Sequence, residues 1–175
     1  MQFSFSKSLR PLVKWSGGKG REIKNFYRHY PSSYDRYIEP FVGGGAVFFD
    51  LNFKNNVIAD VHEDLINFYQ QIKKGQSKKI YNLVSDWPVD ERHYYYIRDK
   101  IITSDEITRA ARFYYLRKTA FRGMLRYNNN GKFNVPWGRY KSVNFRDILD
   151  KEYEYLLGNT KIYLKSFENI FKIYN

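Results

Sequence analysis

The stretch RYIEPFVGGGAVFFDL, from Arg36 to Leu51, constrains the fold more than any other part of the chain. Its apolar run YIEPF predicts a strand, its three glycines predict a tight turn, and the residues from Gly45 to about Phe53 predict a helix. NVIAD, at residues 56–60, predicts a second strand. Two strands joined through a helix form a βαβ unit, so the sequence predicts an α/β fold with a parallel sheet covered by helices.

The glycine run lies where βαβ units bind ligands, at the carboxyl end of the first strand. Glycines let the backbone approach a ligand closely, although glycine also marks ordinary tight turns. Asp60, which ends the second strand, can accept hydrogen bonds from ribose hydroxyls. The run lacks the G-x-G-x-x-G spacing of pyrophosphate cofactors and has no basic neighbour. This pattern favours S-adenosylmethionine, a cofactor without phosphate.

A second glycine-rich loop, KWSGGKGRE, lacks the first glycine of a phosphate-binding loop and the Ser or Thr after its lysine. Nucleoside triphosphate binding is therefore not expected. His62, within DVHED, has no second histidine at ligand spacing, so no metal site is predicted. The chain contains no cysteine, which excludes disulfides and thiolate metal ligands.

The composition points to a nucleic-acid partner. The 175 residues include 30 Lys and Arg against 18 Asp and Glu, a net charge of +12, and 19% are aromatic. A solvated basic surface is the alternative explanation of the charge alone. No window approaches eighteen uninterrupted apolar residues, and MQFSFSKSLR lacks a long apolar core. We therefore expect one domain, with no membrane segment and no export signal.

The rest of the sequence predicts mainly helices. An amphipathic helix is predicted in GREIKNFYRHY after the extended RPLVKW, and three or four helical pieces from Glu63 to about Phe121. MLRYNNNGKFNVPWG predicts a β-hairpin whose Asn and Gly residues tolerate positive φ. FRDILDKEYEYLLG predicts a helix, TKIYLKSF a strand and ENIFKIYN a last helix.

The segment from Phe113 to Lys141 is the predicted DNA-facing region. It interleaves basic residues with Tyr, Phe and Trp, and such residues can neutralise phosphates, read base edges and stack on bases. A two-stranded ribbon fits the major groove. A basic hairpin that merely packs on the domain is the alternative. The basic residues concerned are Arg117, Lys118, Arg122, Arg126, Lys132, Arg139 and Lys141.

Four segments together resemble the Dam-type (D12 class) adenine-specific DNA methyltransferases: PLVKWSGGKG, YIEPFVGGGAVFF, IADVHEDLINFY and RGMLRYNNNGKFNVPWGRYK, in that order. The resemblance implies a Rossmann-like methyltransferase domain, residues 1–62 and 158–175, with a helical and hairpin recognition insertion at residues 63–157. It also implies S-adenosylmethionine as cofactor, double-stranded DNA as partner and the exocyclic amine of adenine as methyl acceptor, as in restriction–modification systems. A cytoplasmic location in a bacterial, phage or viral context is expected.

The resemblance implies site residues as well. Trp15 and Lys19 match cofactor contacts, Gly43 and Gly45 the methionine-binding loop, and Asp60 the carboxylate after the second strand; a core aromatic and a helix cap are the alternatives for Trp15 and Asp60. The implied cofactor contacts are Trp15, Gly17, Lys19, Glu39, Phe41, Gly43, Gly45 and Asp60. The implied DNA contacts are Lys14, Arg117, Lys118, Arg122, Arg126, Asn128, Lys132 and Arg139.

Two features depart from the family pattern. Arg122 stands where relatives often carry Asn. The catalytic Asp-Pro-Pro-Tyr tetrad of the family does not occur, because all five prolines are isolated. We therefore expect an incomplete sheet and a split enzyme, a heterodimer whose tetrad comes from a second polypeptide. A DNA-binding protein without catalysis is the alternative.

Overall fold

The computed structural model describes residues 8–174, which form a mixed α/β structure. The expectation about an export signal concerns a segment that lies mostly outside the described residues. Three parallel strands form the sheet in the order β1–β2–β3. They are β1 (Tyr37–Glu39), β2 (Asn56–Asp60) and β3 (Thr160–Leu164). The predicted parallel α/β arrangement is confirmed, with two of the strands shorter than the predicted runs.

The middle strand of the sheet is β2, and its apolar side chains are buried. Val57, Ile58 and Ala59 are at most 1% exposed. Such a run of consecutive buried residues is typical of a parallel strand with helices on both sides. Since parallel pairing aligns the carboxyl ends of the strands, Glu39 and Asp60 lie at the same edge of the sheet.

The connection between β1 and β2 is the short helix α2 (Ala46–Leu51), and four helices follow β2. The prediction of three or four helical pieces is confirmed, and side-chain caps explain several of their starts. His62, Asp90 and Asp105 each accept a hydrogen bond from a backbone N–H in the first turn. The four helices are α3 (Glu63–Lys73), α4 (Ser77–Asp86), α5 (Glu91–Lys100) and α6 (Glu106–Thr119).

Helix α3 connects the sheet with the helical part of the molecule. It packs against β2 and β3 and also against α6 and the later helix α7 (Lys151–Gly158). The buried core is one cluster that includes Phe48 before β2, Phe68 on α3 and Tyr114 on α6. Apolar packing is therefore continuous between the strands and the helices that follow them.

Two segments are less regular than their sequence patterns predict. GREIKNFYRHY is not one helix, because a single α-helical turn, α1 (Ile23–Phe26), lies between 3-10 turns. Ile23 is its only buried residue. The hairpin after α6 is held by two isolated antiparallel bridges, Ala120–Trp137 and Tyr127–Phe133, rather than by regular strands.

The last element is α8 (Phe167–Tyr174), which follows β3 and packs on β2. Its first residue, Phe167, lies against Phe41 beyond the end of β1. At its other end, the ring of Tyr174 lies under the guanidinium of Arg36, just before β1. The helix therefore runs beside β1 in the opposite direction. Within residues 8–174, no strand pairs with the outer edge of β1.

Candidate cofactor and nucleic-acid site

The glycine run after β1 is covered by the indole ring of Trp15. A Cβ atom on Gly43 would lie 2.7 Å from Cδ1 and Nε1 of Trp15, and one on Gly44 would lie 3.0 Å from its Cβ. Gly43 also has a φ of +48°, a left-handed conformation that favours glycine. The bare backbone therefore accommodates a side chain of the protein itself, which places Trp15 on the loop predicted to bind the cofactor.

Asp60 ties the glycine loop to the end of β2. One carboxylate oxygen accepts a hydrogen bond of 3.0 Å from the backbone N–H of Gly43, and the other accepts one of 3.0 Å from the N–H of His62. Each oxygen retains a second lone pair, since a carboxylate offers about four acceptor positions. Asp60 can thus accept hydrogen bonds from hydroxyl groups of a ligand while it remains bonded to the loop.

Tyr69, on helix α3, holds the same loop through a hydrogen bond. Its hydroxyl is fully buried and donates a 2.8 Å hydrogen bond to the carbonyl oxygen of Gly43. Gly45 packs on this side, where an added Cβ would lie 2.8 Å from the ring of Phe49. Sequence reasoning did not identify Tyr69, although its place on the buried face of α3 is visible in the helical pattern.

Glu39 lies at the carboxyl end of β1, close to the same crevice. Its carboxyl group accepts a 2.8 Å hydrogen bond from the hydroxyl of Tyr37 and another from the backbone N–H of Phe48. Burial raises the pKa of Glu39 to about 7, against the lowering effect of these two bonds. Nearby Asp60 raises it further through repulsion between like charges. Glu39 can therefore change its charge near neutral pH.

The remaining predicted cofactor residues lie farther out. Gly17, with a φ of +75°, and Lys19 belong to the exposed loop after Trp15, and the Lys19 ammonium lies 3.9 Å from the Glu22 carboxylate. Phe41 is 67% exposed and contacts Phe167. The structure thus brings Trp15, the glycine run and Asp60 together, whereas these three residues lie around them on the surface.

On the DNA-facing side, most of the predicted contacts are exposed. The hairpin turn is stabilised by Asn128, whose side-chain oxygen accepts the backbone N–H groups of Asn130 and Lys132 at 3.0 Å. Arg126 is oriented by Asn134, which accepts bonds of 2.8 and 3.0 Å through its side-chain and backbone oxygens. The predicted DNA contacts with exposed side chains are Lys14, Arg122, Arg126, Asn128, Lys132 and Arg139.

Arg117 and Lys118, the other two predicted DNA contacts, both make contacts within the protein. Arg117 is 1% exposed, and its guanidinium donates hydrogen bonds to the carbonyl oxygens of Lys14, Gly123 and Met124. Lys118 forms a 2.8 Å ion pair with Asp147, with its side chain 13% exposed. The structure thus shows internal partners for both cations, and the DNA contact predicted for each stays a prediction.

Lys14 lies between the two parts of the site. Its ammonium donates a 2.8 Å hydrogen bond to the hydroxyl of Tyr140 and lies 4.1 Å from the centre of that ring. Its main chain precedes Trp15, and its side chain fills the space left by Gly123, where an added Cβ would lie 2.5 Å from the Lys14 Cβ. The residue next to Trp15, which covers the glycine loop, therefore also contacts the turn before the hairpin.

His62 makes a second connection that sequence reasoning missed. Its Nδ1 accepts the backbone N–H of Leu65 at 3.2 Å, so the neutral ring carries its proton on Nε2 and donates it to the hydroxyl of Tyr127 at 2.5 Å. Burial lowers the pKa of His62, which favours this neutral form. The ring also contacts Trp15 edge-on, with the centroids 5.4 Å apart. A histidine directly before Glu63 and Asp64 could have been read as a helix cap.

A cleft of about 500 Å³ lies between the hairpin and the loop that joins α5 to α6. The arginines in its wall are engaged with protein groups: Arg98 with Asp99, Arg109 with Glu63 and Asp64, and Arg112 with backbone carbonyl oxygens. These charges serve the internal packing of the helices, and we assign the cleft no ligand.

Among residues 8–174, no cluster of three or more His, Asp or Glu side chains could hold a metal ion. Within the same described range, no helix is both long and apolar enough to cross a lipid bilayer.

Over residues 15–175, the chain matches the family model described as D12 class N6 adenine-specific DNA methyltransferase. The chain therefore belongs to this family of DNA methyltransferases, and the resemblance seen in its motifs is confirmed. A mixed α/β fold with a parallel sheet is consistent with such an enzyme, and a methyltransferase of this class implies S-adenosylmethionine as methyl donor.

Individual relatives come from viruses and bacteria. The chain is 49% identical over 169 residues to the Type II methyltransferase M.CviBI of Paramecium bursaria Chlorella virus NC1A, covering 95% of this chain and 65% of the relative. It is 36% identical to the Type II methyltransferase M1.LlaDCHI of Lactococcus lactis subsp. cremoris, with 94% and 61% covered. It is 38% identical to a DNA adenine methylase of Vibrio cholerae serotype O1, with 79% and 51% covered. The chain thus spans about half to two thirds of the length of these relatives.

Proposed function

We propose that this chain forms the cofactor- and DNA-binding part of a site-specific DNA adenine methyltransferase. The enzyme transfers a methyl group from S-adenosylmethionine to the exocyclic amine of adenine. The observation that carries the proposal is the position of Trp15, which contacts the glycine loop and adjoins Lys14 beside the exposed basic turn. In this proposal, residues 1–62 and 158–175 form a partial Rossmann-like domain, and residues 63–157 form the recognition insertion.

The cofactor binds in the crevice at the carboxyl ends of β1 and β2. Trp15 offers an aromatic surface there, and the backbone of Gly43 and Gly45 permits close approach of the methionine part. Asp60 accepts the ribose hydroxyls through lone pairs that its two backbone hydrogen bonds leave available. Gly17, Lys19, Glu39 and Phe41 are proposed as further contacts around this crevice.

The exposed turn and hairpin bind duplex DNA. Arg126 reads base edges in the major groove, where arginine commonly forms two hydrogen bonds to guanine. Lys132 neutralises phosphates, which contributes affinity without sequence preference. The high positive charge of the chain, +12, supports this division of roles because it favours association with a polyanion. Lys14, Arg122, Asn128 and Arg139 are the other proposed contacts.

Methyl transfer is direct, and the bound cofactor supplies the methyl group on a sulfonium. The protein contributes mainly by placing the adenine amine in line with that group, so catalysis rests on orientation of two reactants. The family tetrad that would hold the flipped adenine is absent from residues 1–175. We propose that a polypeptide segment outside these residues supplies it, in a second chain or in a longer form of this one.

The outer edge of β1 is the proposed docking site for that segment. An unpaired parallel edge presents free backbone donors and acceptors, and natural proteins normally cover such edges. Beside this edge lies an exposed apolar patch of Phe41, Phe167 and Phe171, which are 67%, 38% and 47% exposed. A strand that pairs with β1 and contacts this patch completes the sheet and places the tetrad at the same carboxyl edge as Asp60.

The experiment combines residues 1–175 with a polypeptide that carries Asp-Pro-Pro-Tyr, then follows radiolabelled methyl transfer from S-adenosylmethionine to adenine in duplex DNA. We expect no transfer by either component alone and transfer by the mixture. Phe171→Asp should prevent assembly, whereas Tyr96→Asp, at an exposed aromatic residue on α5, should not. Methylation by the purified chain alone would contradict the need for a second segment. Sequence-specific DNA binding without transfer would indicate a DNA-binding protein that lacks catalysis.

A further inference from the structure

Arg117 is a buried cation whose described hydrogen bonds all go to backbone carbonyl oxygens. Its Nε donates a 3.0 Å bond to the carbonyl of Lys14, which also accepts from Nη2. Nη2 and Nη1 donate bonds of 2.6 Å to the carbonyls of Gly123 and Met124. One guanidinium therefore joins two segments that lie more than a hundred residues apart in the sequence.

This arrangement is costly to maintain, because no carboxylate among residues 8–174 forms an ion pair with Arg117. Burial of a charge in a protein interior is unfavourable unless polar groups compensate it. Here burial lowers the pKa of Arg117 to about 10, so the group remains charged at neutral pH. Only arginine supplies several donors in a fixed planar fork, which matches carbonyls arriving from different directions.

The segment that Arg117 holds is the turn formed by residues 121–124, which precedes the hairpin. Arg122 and Gly123 have φ values of +50° and +63°, and such left-handed geometry is unfavourable for arginine. The turn therefore depends on external support, and two of its carbonyl groups receive that support from Arg117. Phe121 and Met124 at its ends are 39% and 38% exposed.

Trp15 contacts both Arg117 and the glycine loop. The guanidinium carbon lies 5.3 Å from the indole ring, within the range of a cation–π contact. The ring also contacts the bare backbone at Gly43 and the ring of His62, which donates to Tyr127 of the hairpin. Trp15 therefore contacts both the glycine loop and groups that hold the turn and the hairpin.

We propose that Arg117 is a positioning residue that couples occupation of the cofactor crevice to the order of the turn at residues 121–124. The inference rests on the proposed function, because it assumes that the cofactor contacts Trp15. A ligand that orders Trp15 and Arg117 removes part of the ordering cost from the second ligand, so cofactor and DNA bind with positive cooperativity. Coupling of this kind commonly changes affinity by about 5-fold or more.

The test uses the assembled methyltransferase and sinefungin, a cofactor analogue without a transferable methyl group. The measured quantity is the ratio of the DNA dissociation constants without and with sinefungin, for the preferred duplex selected from a random pool. We expect a ratio of about 5 or more for the wild-type protein. In Arg117→Lys, which keeps the charge but loses the fork, we expect a ratio near 1. Amide hydrogen exchange at residues 121–124 should slow on sinefungin binding in the wild type but not in Arg117→Lys.

Arg112→Lys is the matched control. Arg112 also lies on α6 and is partly buried, and its described hydrogen bonds go to the backbone carbonyls of Ile97 and Arg98 rather than to the turn. Its ratio should equal that of the wild type. A wild-type ratio preserved in Arg117→Lys, or lost equally in both variants, would overturn the coupling role and leave the proposed function intact. A wild-type enzyme that binds no sinefungin would overturn both.

Discussion

The hydroxyl of Tyr69, fully buried on α3, donates a 2.8 Å hydrogen bond to the carbonyl oxygen of Gly43 in the glycine loop. Tyr69→Phe leaves that carbonyl without its donor in a dry environment, at an expected cost of about 1–2 kcal/mol in the free energy of unfolding. Because the loop is the proposed cofactor site, binding of S-adenosylmethionine should weaken as well. Urea unfolding and calorimetry measure the two effects separately.

Tyr153→Phe is a control for the Tyr69 variant, since the Tyr153 hydroxyl donates a 2.7 Å bond to the carbonyl of Arg10, away from the loop. It should lower stability by a similar amount without a change in cofactor affinity. Equal cofactor affinities for the Tyr69 variant and the wild type would mean that the loop needs no support from α3.

Asp60→Ala should reduce the affinity for S-adenosylmethionine. The substitution removes the proposed acceptor of the ribose hydroxyls and the two backbone bonds to Gly43 and His62, at a cost of roughly 1–3 kcal/mol of binding. Calorimetry on the assembled enzyme measures this. Asp86→Ala, at the exposed end of α4, is the control. Unchanged affinity in Asp60→Ala would show that Asp60 is only a structural link.

Arg126→Ala and Lys132→Ala should have different effects on DNA binding. Loss of Arg126, which Asn134 orients, should relax the choice between sequences and cost about 1–3 kcal/mol on the preferred site. Loss of Lys132 should weaken binding to all duplexes alike. It should also reduce the slope of log affinity against log salt concentration by about one. Fluorescence anisotropy at several salt concentrations separates them. Equal losses on preferred and random DNA for Arg126→Ala would make it a phosphate contact.

Glu39 predicts a dependence of stability on pH. Its pKa is raised by burial from 4.5 to about 7 in the folded protein, so between these values the folded state binds more protons than the unfolded state. The free energy of unfolding therefore decreases as pH rises through this window, by up to roughly 3 kcal/mol. The contribution is fully present below pH 4.5 and lost above about pH 7.

Denaturant unfolding at pH 5 and pH 8, compared between the wild type and Glu39→Gln, isolates that contribution. The comparison is needed because His62, with a pKa lowered by burial, acts in the opposite direction and reduces stability as pH falls below 6.5. In Glu39→Gln, the free energy of unfolding at pH 8, taken relative to its value at pH 5, should be higher than in the wild type. If the free energy of unfolding changes equally between pH 5 and pH 8 in both proteins, a raised pKa of Glu39 is excluded.

Local signals predicted many of the elements, because several helices carry side-chain caps and regular apolar spacing. The pattern of apolar residues and glycines located β1, α2 and β2. The same reasoning failed for GREIKNFYRHY. Its aromatic residues have helical spacing, yet only Ile23 packs inside, and without a buried face the helix does not extend beyond one turn.

The site was predicted less completely than the fold, since its contacts join distant parts of the chain. Arg117 lies in a basic and aromatic segment that suggests DNA binding, but carbonyls supplied by Lys14 and by the turn after α6 enclose it. No local pattern shows that a cation will meet such partners. The same holds for His62, whose bond to Tyr127 depends on how α3 and the hairpin meet.

The contact between Trp15 and the bare backbone at Gly43 has an evolutionary consequence. A methyl group at Gly43 would lie 2.7 Å from the indole, and the φ of +48° is unfavourable for any residue with a Cβ atom. Substitutions at the two positions therefore cannot drift independently. In a library randomised at both sites and selected for function, surviving members that lose Gly43 should also carry a smaller side chain at position 15, so the pair should be inherited as one unit.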